Sequence, residues 1–349
     1  MHAIDELLSA LLREPLRSVA AGTLGYVGLD LPPDLLLAVP DGSCHLPWRL
    51  GRETPRADSW LESSFPPWAR SILEDWARGR FDVFRQVLFT RGEDVSQRLY
   101  YYVCELQRRG QLAGPVPLIF DIARIDRPSS HRYTASSLRQ LVEQLQLPES
   151  ALRRGIQRAN ALRGHFGDLR RERIAPGSRY ERLVRASLFA DVGPLMSAWE
   201  PANSGSARGR VVLAGSSPPD DRIHELIEAC GWHVAAELCD RNLERLGGPV
   251  EAAGSDPVQA IAQGWLRQVF LGRDTKVEER LRTVLHEARA DAAVLWFARD
   301  DEALAWQVPR LRRVLEGSGV PHVVLTAADW ALDEEAAGRI RTFLDGLSA

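Results

Sequence analysis

Apolar and polar positions along the chain alternate in two blocks of strand-and-helix repeats, with a long helical stretch between them. The clearest block runs over 210–247. Val211, Val212 and Leu213 form an apolar run without alternation, as a parallel strand covered on both faces requires, and Gly215 allows a sharp turn at its end. Pro218 and Pro219 cannot continue a strand, Asp220 or Asp221 suits the cap of the next helix, and Ile223, Leu226, Ile227 and Cys230 share one helical face. Gly231 closes that helix, and 232–238 supplies a second strand, which completes a βαβ unit. Beyond it the pattern predicts a helical pair over 257–288, a strand at 292–297, a helix at 306–316, a strand at 322–326 and a final helix. The amino-terminal block predicts strands at 19–27, 35–39, 83–89 and 116–120, with helices at 68–78 and 95–107. From 136 to 197 the pattern is helical almost throughout, broken at Pro148 and Pro176, and the small, polar residues 200–209 mark a domain boundary. Alternating strands and helices on both sides of that region predict an α/β fold of two doubly wound parallel-sheet domains, over 1–135 and 206–349, joined by a helical connecting region and linker over 136–205.

Composition narrows the class of protein. A chain of 349 residues exceeds the size at which one core stops growing, which agrees with two domains. No stretch approaches the ~20 apolar residues of a membrane span, and a net charge of -3 gives no pull toward nucleic acid. The amphipathic amino terminus lacks the basic start and cleavage site of an export signal, and the four cysteines carry no CxxC spacing, so a cytoplasmic location is expected.

Common catalytic signatures are missing: there is no GxGxxG, GxxxxGK[ST], GxSxG or HExxH. Lys276, the single lysine, sits in a charged helix start with no apolar pocket to activate it. The acid pairs Asp220 with Asp221, Asp300 with Asp301 and Glu334 with Glu335 flank predicted helices, where the macrodipole favours them. Ligands of open parallel sheets bind outside the carboxyl ends of the strands. Gly215, Ser216 and Ser217 there suit an anion such as a CoA phosphate, or serve only as a turn. Tyr26, Ser63, Ser64 and Asp94 are the equivalent candidates in the first domain, with capping and turn roles as the alternative, and His131, Arg132 and Tyr133 are expected in a polar loop.

Several of these segments carry a resemblance. The strand, glycine loop and helix ending LIEACGWHV, followed by ELCDRNLERLG, resemble the carboxyl-terminal domain of the 2-hydroxyacyl-CoA dehydratase family, which includes benzoyl-CoA reductase subunits. GYVGLDLPPDLLLA at 25–38 resembles that family's amino-terminal opening, and Ile156, Asn160 and Arg163 match its linking helix. Asp256, Pro257, Ala260 and Ile261 resemble its DP-x-x-AI helix start, and Gly319, Val320 and Pro321 its last turn before a strand. The matches run in family order from about residue 18 to the end. The resemblance implies Rossmann- or flavodoxin-like domains.

It also implies a four-iron, four-sulfur cluster on cysteine thiolates, and here the sequence departs. The expected thiolates fall at Pro66, Glu93 and Arg299, which offer no donor, a hard oxygen and a cation. Cys44, Cys104, Cys230 and Cys239 are scattered and read as structural thiols; Cys44 with His45 is the one adjacent pair suited to a metal or thiolate role, with a loop pair as the alternative. No metal and no cluster is expected in this chain. An Arg70–Asp94 ion pair and the tryptophans at 48, 60, 68 and 76 are expected to fill the space a cluster would occupy. Family enzymes pair two related subunits, so the expectation is a cluster-free subunit of a dehydratase-like or benzoyl-CoA reductase-like complex, partnered by a cluster-bearing relative or by a second copy. The alternative is a stand-alone binder of an acyl-CoA or small ligand, or an enzyme of non-redox chemistry on the same scaffold.

Overall fold

The computed structural model describes residues 3–347 apart from 124, 173–176, 198, 200–206, 240–242, 252, 253, 255 and 275. Pro176 and most of the linker at 200–209 therefore lie outside the described residues. The chain forms two compact units: Met1–Phe166, Ala186–Ala198 and Arg245–Gly272 build the first, and Gly167–Arg185, Trp199–Glu244 and Arg273–Ala349 the second.

The first unit opens with α1 (Ala3–Arg13), β1 (Leu24–Val27), α2 (Pro33–Leu36), β2 (Ser43–His45), α3 (Pro55–Trp60), α4 (Pro67–Ala77), β3 (Gln86–Thr90), α5 (Asp94–Arg108) and β4 (Val116–Phe120). Helices α6 (Pro128–Gln144), α7 (Glu149–Glu172), α8 (Gly177–Ala186) and α9 (Gly193–Ser197) follow. After β5 (Arg210–Gly215), α10 (Arg222–Ala229) and β6 (His233–Leu238) come α11 (Pro257–Asp274), α12 (Val277–Ala288) and β7 (Ala292–Ala298). The chain ends with α13 (Glu302–Ala305), α14 (Val308–Ser318), β8 (His322–Ala328) and α15 (Glu334–Asp345). Among the described residues no helix is long and apolar enough to cross a membrane.

Each unit holds a four-stranded sheet, of order β2-β1-β3-β4 in the first and β6-β5-β7-β8 in the second. Among the described residues all six strand pairings are parallel. The α/β architecture predicted from the pattern is therefore present in both. Because successive strand residues point to opposite faces, Val211, Leu213, Val294 and Trp296 pack with α10 and α15, while Val212, Ala214, Ala293 and Leu295 pack with α12 and α14. In the first unit Val87 and Phe89 face α4 and α5, and Tyr26 and Leu88 face α6, α7 and the Val258–Trp265 face of α11.

Four expectations are corrected. The run 35–39 is not a strand: Pro33 starts the short helix α2, all four of whose residues are buried. Its leucines are apolar on every side, so periodicity alone could not separate helix from strand. Cys44 and His45 belong to the edge strand β2 rather than a loop, and at three residues it is too short to leave a pattern. Strand β1 begins only at Leu24, after a 3-10 turn at Pro15–Ser18. His131, Arg132 and Tyr133 lie on α6, which Pro128 starts in its first turn. Of the tryptophans at 48, 60, 68 and 76, Trp76 is buried and stacks on Phe89 at 6.1 Å between ring centres, and Trp48, Trp60 and Trp68 pack around the same core.

One polar cluster holds the first unit together. Arg163 on α7 donates to both carboxylate oxygens of Asp34 on α2, at 2.9 and 2.6 Å, with the two side chains 7% and 3% exposed. Its Nε donates to the Leu246 carbonyl at 2.8 Å. One turn earlier Asn160 donates to the Val250 carbonyl at 2.9 Å and accepts from the Val250 amide at 3.0 Å. Removing one member of a buried ion pair strands the other charge, at a cost of about 3–5 kcal/mol. Arg163→Met is expected to lower the stability of the folded chain by about that amount in urea unfolding. Adding Asp34→Leu should recover much of the loss, and an Arg163→Met protein as stable as the parent would contradict this reading.

Candidate functional site

In a parallel sheet of this order the crevice for ligands opens where neighbouring strands send their connections to opposite sides, here between β1 and β3 and between β5 and β7. In the first unit β1 ends at Gly28, whose φ of 90° suits glycine and where a Cβ would stand 2.3 Å from Thr90 Cγ2. The Leu29 and Asp30 amides donate to Glu93 Oε1, the second at 3.2 Å. Thr90 Oγ1 donates to the Asp30 carbonyl at 2.9 Å, and Ser96 Oγ to the Val27 carbonyl at 3.1 Å. The loop after β3 thus takes up the polar groups of the loop after β1.

The second unit repeats this device with other residues. Gly215, at φ 112°, ends β5 where a Cβ would meet the Trp296 carbonyl oxygen at 2.2 Å. Ser216 donates its amide to that carbonyl at 2.8 Å and its hydroxyl to Asp301 Oδ2 at 2.8 Å, and the hydroxyl accepts from the Ala298 amide at 3.0 Å. Burial raises the Asp301 carboxyl above the ordinary aspartate value, and the Ser216 hydrogen bond offsets part of that rise. Asp301 and Thr90 were not among the expected site residues. Asp301 was read as a helix-start acid, and only the pairing of β5 with β7 brings it to Ser216.

The other expected residues are dispersed. Tyr26 lies within β1, its hydroxyl donating to the Leu188 carbonyl at 3.0 Å and its ring set edge-on to His45. Ser64 is exposed and accepts from Arg98 at 2.9 Å, and Asp94, 79% exposed, pairs with Arg98 at 3.7 Å. The expected Arg70–Asp94 pair is not formed: Arg70 pairs with Asp58 and donates to the Phe65 and Glu62 carbonyls. Ser217 is partly buried beside Ser216. The Cys44 thiol is pushed up to about 12 by burial, and the His45 ring lies 2.9 Å from the Leu46 carbonyl through Nδ1, so the pair is built into the core.

The positions expected to hold thiolates do not suit an iron–sulfur cluster. Pro66 caps α4 and carries no donor atom, Glu93 is committed to two backbone amides, and Arg299 presents an exposed cation after β7. Among the described residues no group of three or more His, Cys, Asp or Glu side chains is placed to hold a metal ion. A family model described as 2-hydroxyglutaryl-CoA dehydratase, D-component, matches residues 32–347. No curated protein matches the chain.

Helix α10, which follows the Gly215–Ser217 loop, is fixed to β6 by a buried pair: His224 Nε2 lies 2.8 Å from Glu237 Oε1. Burial opposes charge on His224, yet Glu237, with Glu181 and Glu228 behind it, outweighs burial and holds the imidazole above the ordinary histidine value. A raised folded value means that the pair stabilises fully below about pH 6.5, the unfolded value, and loses that contribution as pH climbs through the folded one. Stability is expected to fall as pH rises above about 6.5, with a slope of up to about 1.4 kcal/mol per unit from this group. His224→Gln should flatten that part of the profile in urea unfolding measured across the range; an unchanged slope would refute the assignment.

Proposed function

The chain belongs to the 2-hydroxyglutaryl-CoA dehydratase D-component family, and from that premise we propose that it is a cluster-free subunit of a 2-hydroxyacyl-CoA dehydratase-like assembly. In this reading it shapes an acyl-CoA site or docks a partner, and a related cysteine-bearing subunit supplies the redox centre. A benzoyl-CoA reductase-like assembly falls within the same proposal. Components of this family typically work with an activator or a partner subunit, so a chain with no cluster of its own has a place to act.

The observation that carries the proposal is Glu93. A cluster ligand must present its donor atom outward to iron, whereas the Glu93 carboxylate turns back onto the Leu29 and Asp30 amides of its own unit. Carboxylate oxygen is also a hard donor, poorly matched to iron–sulfur chemistry. The other two positions agree, because neither proline nor arginine offers a ligand atom. The retained residues are the architectural ones: Asp34, Asn160, Arg163 and Asp256 carry family motifs, and the first three form the buried cluster of the first unit. Asp256 Oδ1 accepts from the Val258 amide at 2.9 Å at the start of α11. Retained architecture beside altered ligand positions favours a role in assembly.

The test is anaerobic purification from the native host with iron and sulfide analysis. The expected outcome is a substoichiometric metal content in this chain together with co-purification of a cysteine-bearing homologue, through an interface on the order of 1,600 Å² in total. A stoichiometric thiolate-bound cluster in the isolated chain would refute the cluster-free reading. Turnover of an acyl-CoA by the strictly monomeric chain would replace it with the independent-enzyme reading.

A further inference from the structure

Four of the six large hydrophobic side chains that stand exposed among the described residues belong to one edge of the first sheet: Tyr101, Val116, Ile125 and Tyr133, each 49–63% exposed. That edge is β4, the last strand in the order of its sheet, with α5 on one face of the sheet and α6 on the other. Val116 opens β4, Tyr101 lies on α5, Tyr133 lies on α6, and Ile125 is on the stretch between β4 and α6. A polar network ties the edge together. Arg91, in the loop after β3, pairs with Asp121 just past β4, and the Tyr133 hydroxyl donates to the same carboxylate oxygen at 2.6 Å. Tyr101 and Tyr133 both stand within electrostatic reach of the Arg91 guanidinium.

The strand itself is blunted against a partner strand. The Val116 amide donates to the Arg85 carbonyl and the Phe120 carbonyl accepts from the Arg91 amide, both at 3.0 Å, so alternate backbone groups, at 117 and 119, turn to the free edge. Position 117 is a proline, which has no amide to offer there. Docking at this edge therefore rests on side chains. Tyrosine and arginine are the residues enriched at the cores of protein interfaces, where they supply most of the binding energy. Here Asp121 already holds Arg91 and Tyr133 in place, so little side-chain freedom is lost on contact.

Charge decides the occupant. Arg127 and Arg132 are exposed beside Ile125 and Tyr133, and the exposed acids are Asp126, which meets His131 at 2.7 Å, and Asp94, which opens the face of α5 that carries Arg98 and Tyr101. Both acids are paired in open water, where such pairs contribute little and exchange readily. A surface with both signs offers no one-sided charge to attract nucleic acid or a strongly acidic protein. An isologous contact needs a patch that complements itself, and a two-fold turn sets these cations against these acids around an aromatic centre.

We propose that the β4 edge is a self-docking surface through which two copies of the chain associate about a two-fold axis, with Tyr101, Ile125 and Tyr133 at the centre and Arg127 and Arg132 facing acids of the opposite copy. The inference does not rest on the cluster-free reading, since it concerns the isolated chain and involves none of the former ligand positions.

The experiment is sedimentation equilibrium of the purified full chain. A monomer–dimer equilibrium with a dissociation constant on the order of 10 µM or tighter is expected. Tyr101→Ala should weaken it by about tenfold or more, as loss of a central aromatic does. Arg132→Glu should weaken it as well, by setting acid against acid. Trp306→Ala, which removes an equally open aromatic from the second unit, should leave it unchanged. Should Tyr101→Ala fail to fold by circular dichroism, Ile125→Ser on the exposed stretch reads the same contact. A chain that sediments only as a monomer at about 100 µM, ten times the expected constant, overturns the proposal. So does association undiminished in folded Tyr101→Ala or Ile125→Ser, or a loss in Trp306→Ala as large as in Tyr101→Ala.

Discussion

The first unit depends on a charge that it cannot leave unpaired. Asp34 and Arg163 are both withdrawn from water, and each ion pays a desolvation penalty of several kcal/mol that is recovered only if the geometry is good and the remaining donors find acceptors. Here both carboxylate oxygens are met, Arg163 Nε reaches Leu246, and Asn160 closes the ring through Val250. An apolar pair of equal volume would hold the helices with comparable strength. The bidentate pair ties α2, on the chain that leaves β1, to α7. The Leu29 and Asp30 amides that meet Glu93 lie on that stretch, so the buried pair and the strand-end crevice are parts of one construction.

Legibility in the sequence followed physical distance. The β5–α10–β6 unit was readable because its signals are local: an uninterrupted apolar run, a glycine at the strand end and one helical face of apolar residues. Strand β2 was not, since three residues cannot display a period, and α2 was not, since the uninterrupted apolar run 35–39 that overlaps it displays both periods equally. The pattern at Ile156, Asn160 and Arg163 was visible, yet its purpose required knowing that Asp34 and Val250 lie across from it, 129 positions away for the ion pair and 90 for the Asn160–Val250 contact. The pattern over 257–274 announced a helix but could not say which sheet it covers. Asp301 is the clearest case: an acid beside a helix start has an adequate local explanation, and the stronger non-local one was hidden behind it.

The two sheets reach the same solution at their strand ends by different chemistry. In each, an acid from the loop after the third strand meets the loop after the first: Glu93 takes backbone amides, and Asp301 takes the Ser216 hydroxyl. A glycine of positive φ sits beside each, because the neighbouring strand, through Thr90 or the Trp296 carbonyl, comes too close for a Cβ. Buried polar groups at the mouth of a parallel sheet must be satisfied by a ligand, by water or by the chain itself, and here the chain supplies the partner. That self-sufficiency has a consequence for ligands. An anion entering either crevice must displace a carboxylate from its donors and then lie beside that carboxylate, so phosphate at Ser216 faces repulsion as well as competition. A neutral or cationic group, or a protein surface that adds contacts outside the crevice without disturbing its bonds, meets no such barrier. Both facts favour a chain whose strand ends serve as a fixed platform.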